Sequence, residues 1–359
     1  KKPPVHFGLL AIYNNMSICY NALKEYNKSI ISLKISLSIT KTDRTYRLLG
    51  DVLLFVKKYN DSIAAYQSIK ISTPIDLYNQ SFPYLASKQY LIGFKLYENR
   101  LDSNQICPQS KTGGRVEIPL PYWNGSDSCK HLMIIYEQGL GDNIQYFRFI
   151  IELSKLRPNL KITYFTKDAI SHLFNVDSYD NISIIDDSME VYLSKYDKKI
   201  YIMSLPYILN LETITKNAND YIVRDKTNDE ICNQRMLPFA NKLKVGIVFS
   251  GKLISYIDKV IKLKDFKDIC CHENIQTICL HRIDEAIKND ISQIDFADEI
   301  ITDEIDMNKP FTDTISILRN IDVLITIDTS IAHLAGVMGV KTLLLIGYTS
   351  EWRWFNNDD

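Results

Sequence analysis

The sequence predicts an all-α repeat region followed by two consecutive Rossmann-like α/β domains. Three observations predict it. A motif recurs at a fixed interval within the first hundred residues. Glycine and proline cluster between residues 101 and 128. From residue 130 onward, apolar runs of strand length alternate with amphipathic stretches, and the alternation restarts near residue 244.

The recurrence comes first along the chain. Glu25-Tyr26-Asn27-Lys28-Ser29-Ile30 returns as Lys58-Tyr59-Asn60-Asp61-Ser62-Ile63, an offset of 33 residues that Tyr13 and Tyr46, and Leu33 and Tyr66, also share. A looser third copy, Gln89-Tyr90-Leu91-Ile92-Gly93-Phe94, follows 31 residues after the second. Such a period is the mark of stacked supersecondary units. Each unit reads as two amphipathic helices. Tyr46, Leu49, Gly50 and Leu53 share one face of the first, with Gly50 admitting a close neighbour; Ile63, Tyr66 and Ile69 share a face of the second, which Pro74 is expected to end. A plain helical bundle is the alternative. The repeats span 1–100, and the start at Lys1 is expected to cut off earlier ones.

Residues 101–128 read as a linker, on Pro108, Gly113, Gly114, Pro119, Pro121 and Gly125. The first α/β domain, 129–240, has strand candidates at 131–136, 161–165, 182–185 and 199–203, and residues 217–234 are polar with no strand signal. The second, 241–359, has candidates at 244–249, 275–280, 323–327 and 342–346. Strands that alternate with helices form parallel sheets covered on both faces. Ligands of such sheets sit at the carboxyl ends of the strands. The loops after Tyr136, Phe249, Leu280 and Ile327 are therefore where chemistry belongs.

Composition narrows the function classes. Apolar residues make up 46% of the 359 and charged residues 24%, as in soluble globular proteins. The 42 basic and 43 acidic residues leave a net charge of −1, so no global field favours nucleic acid or an anionic membrane. No apolar run approaches the roughly 18 residues of a membrane span. The seven cysteines form no C-x-x-C pair, which argues against a zinc or thioredoxin-like centre and reads as scattered thiols in a reducing, cytoplasmic setting.

Two loops carry the candidate chemistry. The first is Glu137-Gln138-Gly139-Leu140-Gly141-Asp142-Asn143-Ile144-Gln145. Its glycines allow a tight turn and a close backbone approach, and the helix after it offers N–H groups to negative charge. Asp142 reads as an N-cap, with Gln145 completing a capping box, or as a catalytic group; the two roles are compatible. Ile144 stands where a dinucleotide fingerprint needs its third glycine, which disfavours an NAD-dependent oxidoreductase. The second loop is Ile327-Asp328-Thr329-Ser330-Ile331-Ala332-His333. Hydroxyls at a helix start suit a phosphate or diphosphate, with His333 within reach; a plain Ser/Thr/Asp cap is the alternative. Ser250-Gly251 forms another strand-end turn open to a nucleotide. Lys259 and Lys262 are phosphate partners or solvated surface. Trp352-Arg353-Trp354 shapes the cleft edge or anchors its segment by packing.

The string Tyr136-Glu137-Gln138-Gly139-Leu140-Gly141-Asp142-Asn143-Ile144-Gln145-Tyr146-Phe147-Arg148 resembles the signature of tetratricopeptide-repeat proteins related to glycosyltransferase family 9, the lipopolysaccharide heptosyltransferases. Gly93–Arg100 resembles the last repeat of that family, Pro121–Gly125 its linker, and Asp328–Gly336 with Glu351–Trp354 its C-terminal half. The resemblance implies tetratricopeptide repeats joined to a GT-B pair of Rossmann-like domains. It implies transfer of a sugar from a nucleotide-diphosphate-sugar donor to a hydroxyl of a glycan or protein, with the repeats presenting the acceptor and with no metal or other cofactor. Asp142 is then the general base, and Asp328, Thr329, Ser330 and His333, with Ser250 and Gly251, hold the donor. Glu137, Gln138, Gly139, Gly141 and Gln145 line the acceptor side. The stretch Lys252–Tyr256 lacks the polar character of relatives, and the chain stops at Asp359, where GT-B folds continue into helices that cross back, so a truncated C-terminal domain is expected. A non-catalytic repeat scaffold with a degenerate GT-B domain is the competing reading.

Overall fold

The computed structural model describes residues 5–102, 116–126, 128–214, 220–251, 261–282, 284–302, 305–306, 309–348 and 351–354. Cys107, Pro108, Gly113, Gly114, the Lys252–Tyr256 stretch and Lys259 lie outside the described residues. The chain forms two compact units: residues 1–109 with 206–215 and 347–359, and residues 110–205 with 216–346.

The first unit is helical: α1 (Val5–Ala22), α2 (Tyr26–Ile39), α3 (Asp43–Phe55), α4 (Tyr59–Gln67), α5 (Pro74–Ala86) and α6 (Tyr90–Tyr97). They pack as successive hairpins α1/α2, α3/α4 and α5/α6. One turn serves all three. Lys24, Lys57 and Lys88 take left-handed backbone at φ 60°, 59° and 62°. The N–H groups of the next residues, Glu25, Lys58 and Gln89, return to the carbonyls of Tyr20, Leu53 and Tyr84, which closes each first helix. The turn thus repeats at the spacing of the sequence motif. At equivalent places Ser29 donates to the Ser17 carbonyl at 3.0 Å and Ser62 to that of Gly50 at 2.7 Å. These buried hydroxyls tie the two helices of a hairpin together. Gly50 is required, because an added Cβ would lie 2.6 Å from the Tyr66 ring.

One expectation is corrected here. Pro74 does not end α4, which stops at Gln67; it opens α5, where a missing N–H costs nothing. Thr73 caps that helix in a capping box with Asp76, and Arg47 grips the Asp76 carboxylate with two hydrogen bonds. Trp352–Trp354 belongs to this unit as a single 3-10 turn, with the Trp352 ring edge-on to Phe94 at 5.7 Å. Its role is the anchoring one.

The second unit holds two parallel sheets. Its elements are β1 (His131–Ile135), α7 (Leu140–Leu156), β2 (Lys161–Thr166), α8 (Asp168–Ser171), β3 (Ile182–Asp186), β4 (Lys198–Tyr201), α9 (Leu205–Ile208), α10 (Lys226–Met236), β5 (Leu243–Val248), α11 (Lys267–Cys270), β6 (Ile275–Cys279), α12 (Glu285–Ser292), β7 (Ile300–Ile301), α13 (Thr312–Asn320), β8 (Val323–Ile327), α14 (Ser330–Met338) and β9 (Thr342–Leu345); α9 runs across the boundary with the first unit. The sheets are ordered β3-β2-β1-β4 and β7-β6-β5-β8-β9, and every strand pair is parallel. Strand order therefore reverses between β1 and β4 in one sheet and between β5 and β8 in the other. Ligands of open α/β sheets bind at such switch points.

The central strands are buried on both faces, whereas the edge strands β3 and β9 are partly exposed. Leu132, Met133, Ile134 and Ile135 have no exposed surface, the continuous apolar run of a parallel strand. α7 docks through Phe147, which stacks on Phe174 at 4.2 Å and tilts against Tyr164 and Tyr221. Under the second sheet, Val245, Ile247, Phe249, Leu263 and Phe266 form a continuous core. The strand expected over 199–203 stops at Tyr201, and Ile202–Ser204 turn as a 3-10 helix. The polar stretch after residue 217 becomes helix α10, capped by the Asp225 carboxylate. Along the linker, Tyr122 bridges to Lys199, and the Trp123 N–H and Lys199 carbonyl bond at 2.8 Å, so residues 121–123 lie along β4. Among the described residues no helix is long and apolar enough to cross a membrane.

Candidate functional site

The loop after β1 is held by its own residues. Glu137 is fully buried, and Gln138 takes left-handed backbone at φ 65°, an uncommon state for a residue with a side chain. Gly139 is the N-cap of α7. Asp142 is the third residue of the helix, and its carboxylate accepts the Gly139 N–H at 2.8 Å. This corrects the expectation that Asp142 is itself the N-cap with Gln145 as box partner. A glycine cap has no side chain to mark it, so the sequence pattern suggests a cap three residues too late. Gln145, one turn beyond Asp142, keeps its Oε1 buried without a partner.

Asn143 was not singled out by sequence, yet it organises this loop. Its fully buried amide donates to the carbonyls of Glu137 at 3.0 Å and Gly139 at 2.7 Å. Its Oδ1 accepts the Tyr164 hydroxyl at 2.9 Å. Tyr164 is itself fully buried, which pushes its phenol pKa well up and keeps it a donor.

The loop after β8 is built differently. Thr329 is the N-cap of α14, but its side chain makes no capping bond, and Oγ1 is buried without a partner. The Thr329 carbonyl receives the N–H of Ala332 at 3.1 Å. The helix's first N–H groups have no intrahelical acceptor, as at every helix start. Asp328, Ser330 and His333 are each partly buried around this start.

The two loops meet. A Cβ added at Gly141 would lie 2.5 Å from His333 Cδ2 and 3.2 Å from Ser330 Cα. Only a glycine lets α7 approach α14 this closely, and the two helices pack against each other. The Asp142 loop and the Asp-Thr-Ser loop, 186 residues apart from Asp142 to Asp328, thus share one place in the fold.

An open cleft of about 300 Å³ lies beside it, at the carboxyl ends of β5, β6 and β8. Ser250 and Gly251, Leu280 to Arg282, Asp306, Pro310, Phe311, Thr314, and Thr329 to Ile331 surround it. Ser250, Gly251, Thr329 and Ser330, which the sequence analysis grouped together, are therefore neighbours. Asp142 and His333 do not line this cleft, and Lys262 is exposed outside it.

Three residues of the cleft were not singled out from the sequence, although the loop after Leu280 that opens with His281 was. His281 Nε2 accepts the backbone N–H groups of Phe249 at 3.0 Å and Ser250 at 3.3 Å. Burial pushes its pKa down to about 4, with the Asp284 carboxylate opposing, so the ring is neutral near pH 7. Asp306 accepts the N–H groups of Asp313 and Thr314 and the Thr314 hydroxyl, which pins the start of α13. Burial raises the Asp306 pKa against those bonds. Phe311 takes left-handed backbone at φ 66° directly before α13. A lone histidine, aspartate or phenylalanine in a loop carries no periodic signal, so only the fold reveals these roles. Among the described residues no group of three or more His, Cys, Asp or Glu could hold a metal ion.

No family model matches the chain, and no curated protein matches it in sequence. Solved structures do align with it. A glycosyl transferase family 9 protein from Veillonella parvula matches at 12% identity, over 60% of this chain and 80% of that one, with a TM-score of 0.43. The ADP-heptose lipopolysaccharide heptosyltransferase II of E. coli matches at 8% identity, over 60% and 84%, with a TM-score of 0.42. A variant of the Thermobaculum terrenum O-GlcNAc transferase matches at 12% identity, over 97% and 84%, with a TM-score of 0.30. Each similarity is distant.

Proposed function

We propose that this chain is a GT-B glycosyltransferase carrying tetratricopeptide repeats, with repeats at 1–100, a linker at 101–128, an acceptor-side domain at 129–240 and a donor-binding domain from 241. It moves a sugar from a nucleotide-diphosphate-sugar to a hydroxyl of a glycan or protein. The observation that supports this reading is the close approach of Gly141 to Ser330 and His333, which sets the loop after β1 against the loop after β8.

The donor diphosphate lies at the start of α14. The helix N–H groups, the Ser330 hydroxyl and the unpartnered Thr329 hydroxyl face its negative charge, and His333 adds a polar contact from the next turn. Ser250 and Gly251 line the same cleft. Asp142 takes the proton of the acceptor hydroxyl. The acceptor oxygen then bonds the anomeric carbon while that carbon's bond to the diphosphate oxygen breaks. The nucleoside diphosphate leaves with the bonding electron pair, and the donors at α14 stabilise the charge as it grows. No metal step is needed in this scheme. The bond from Gly139 N–H to Asp142 fixes the orientation of the base.

Calorimetry and thermal shift against nucleotide diphosphates and their sugars test the reading. One nucleotide sugar should stabilise the wild type saturably, and the double variant Asp328→Ala, His333→Ala should lose that response. Asp142→Asn should bind the donor normally while turnover drops by about 10²–10⁴, the usual worth of a general base. A wild type that binds no nucleotide sugar, with or without a glycan acceptor, sinks the enzyme and leaves the scaffold reading.

A further inference from the structure

β5 pairs with β6 through the Leu280 N–H, which bonds the Ile247 carbonyl at 3.1 Å, and its strand ends at Val248. The chain then enters the cleft as Phe249, Ser250 and Gly251. Beyond the ladder, the next two backbone N–H groups have no strand to receive them. Both turn to one atom, Nε2 of His281, the residue that follows Leu280 on the neighbouring strand's exit. The imidazole also lies edge-on to the Phe249 ring, with centroids 4.4 Å apart. Two successive N–H groups on one acceptor fix the peptide between them, so the direction in which Ser250 leaves the sheet is set by a side chain from another loop. The Phe249 carbonyl is held in turn by the Ile261 N–H at 2.9 Å.

We infer that His281 is a positioning residue for the donor cleft: its Nε2 gathers the Phe249 and Ser250 N–H groups and thereby sets the place of Ser250 and Gly251 in the cleft they line with Thr329 and Ser330. This rests on the reading of the cleft as the donor site, but its structural half does not. Accepting at Nε2 requires the tautomer protonated at Nδ1, and the buried ring remains neutral at physiological pH. Arg282, Asp306 and Phe311 stand around the same cleft. His281 is the one of these whose bonds reach the backbone of the β5 loop among the hydrogen bonds described.

Two variants separate the acceptor from the ring. His281→Phe keeps an aromatic ring against Phe249 and removes the acceptor. His281→Gln keeps an acceptor oxygen and removes the ring. Amide hydrogen exchange, measured residue by residue on the ligand-free chain, should accelerate at Phe249 and Ser250 by about tenfold in the Phe variant and stay near wild type in the Gln variant, the effect of one ordinary hydrogen bond. With the donor identified by thermal shift, its KM should rise by about tenfold in the Phe variant with kcat within about twofold, and Gln should restore it. Unchanged exchange in His281→Phe, in a chain whose melting is cooperative, overturns the inference. Accelerated exchange with an unchanged donor KM overturns the link to the cleft. Failure of the wild type to bind any nucleotide sugar overturns the donor reading instead, and accelerated exchange reversed by Gln would still support the hold of His281 on its loop.

Discussion

The loops after β1 and β8 lie against each other but are satisfied in opposite ways. In the first, Asn143 joins two carbonyls and a tyrosine hydroxyl, and Asp142 returns to the backbone of Gly139. In the second, Thr329 occupies the capping position without capping, and its buried hydroxyl has no partner. A loop bonded to itself keeps its shape without a ligand. A buried hydroxyl without a partner costs about 1–3 kcal/mol, and any bond a ligand supplies there recovers it. The comparison suggests a division of labour. One loop presents a rigid carboxylate, and the other is completed by what binds. Gln145 gives the first loop's helix a single matching vacancy, an acceptor oxygen suited to a hydroxyl, where Thr329 offers a donor suited to an anion.

The largest effect expected from breaking this contrast is at Asn143. Asn143→Ala removes the buried bonds to the Glu137 carbonyl and the Tyr164 hydroxyl, while the Gly139 carbonyl keeps the backbone N–H of residue 143, at a cost of about 3 kcal/mol. Urea unfolding should show it as a lower midpoint with the slope unchanged. A loss below about 1 kcal/mol would mean that the first loop is not self-supported.

Next is acid. The loop after β5 is held by a neighbouring loop, with His281 as its acceptor, and folding holds that ring at about 4 against an ordinary 6.5. Above pH 6.5 the folded and unfolded chains are both neutral there. As pH falls from 6.5 towards 4, the unfolded chain takes up a proton that the folded one refuses, and about 3 kcal/mol of stability is lost. His131 and His172, lowered chiefly by burial, act in the same sense. Asp306, raised by burial, acts in the opposite sense, because its folded form takes up a proton first. Replacing His281 by Gln should flatten the stability profile between pH 6.5 and 4. A profile as steep as that of wild type would assign the acid sensitivity elsewhere.

Much of this architecture is legible in the sequence, because parallel strands buried on both faces must read as unbroken apolar runs. Residues 131–136 and 323–327 did so, and their loops followed from strand ends alone. The places where the sequence misleads share one cause: a residue whose role depends on a partner. Pro74 suits a helix end and a helix start equally, and Thr73 with Asp76 decides between them. Asp142 looks like a cap because Gly139, the real cap, has no side chain. Asn143 and His281 act on backbone groups that only the folded chain brings to them, and no spacing rule announces that.

The smallest effect is the most discriminating. Thr329→Val preserves shape and removes only the hydroxyl. A threonine that caps loses about 1 kcal/mol on such a change, and Asp284, whose carboxylate accepts the Ile287 N–H at 3.0 Å, should behave that way when replaced by Ala. Thr329 accepts no such bond and its buried hydroxyl has no partner, so the ligand-free Val variant should be more stable than wild type, by about 1 kcal/mol. The same variant should bind the donor nucleotide about tenfold more weakly, since a hydrogen bond to a charged group is at stake. Raised stability with weaker binding is the pattern of a group kept for a ligand. Lost stability with unchanged binding is the pattern of an ordinary cap, and it would erase the difference between the two loops on which the division of labour rests.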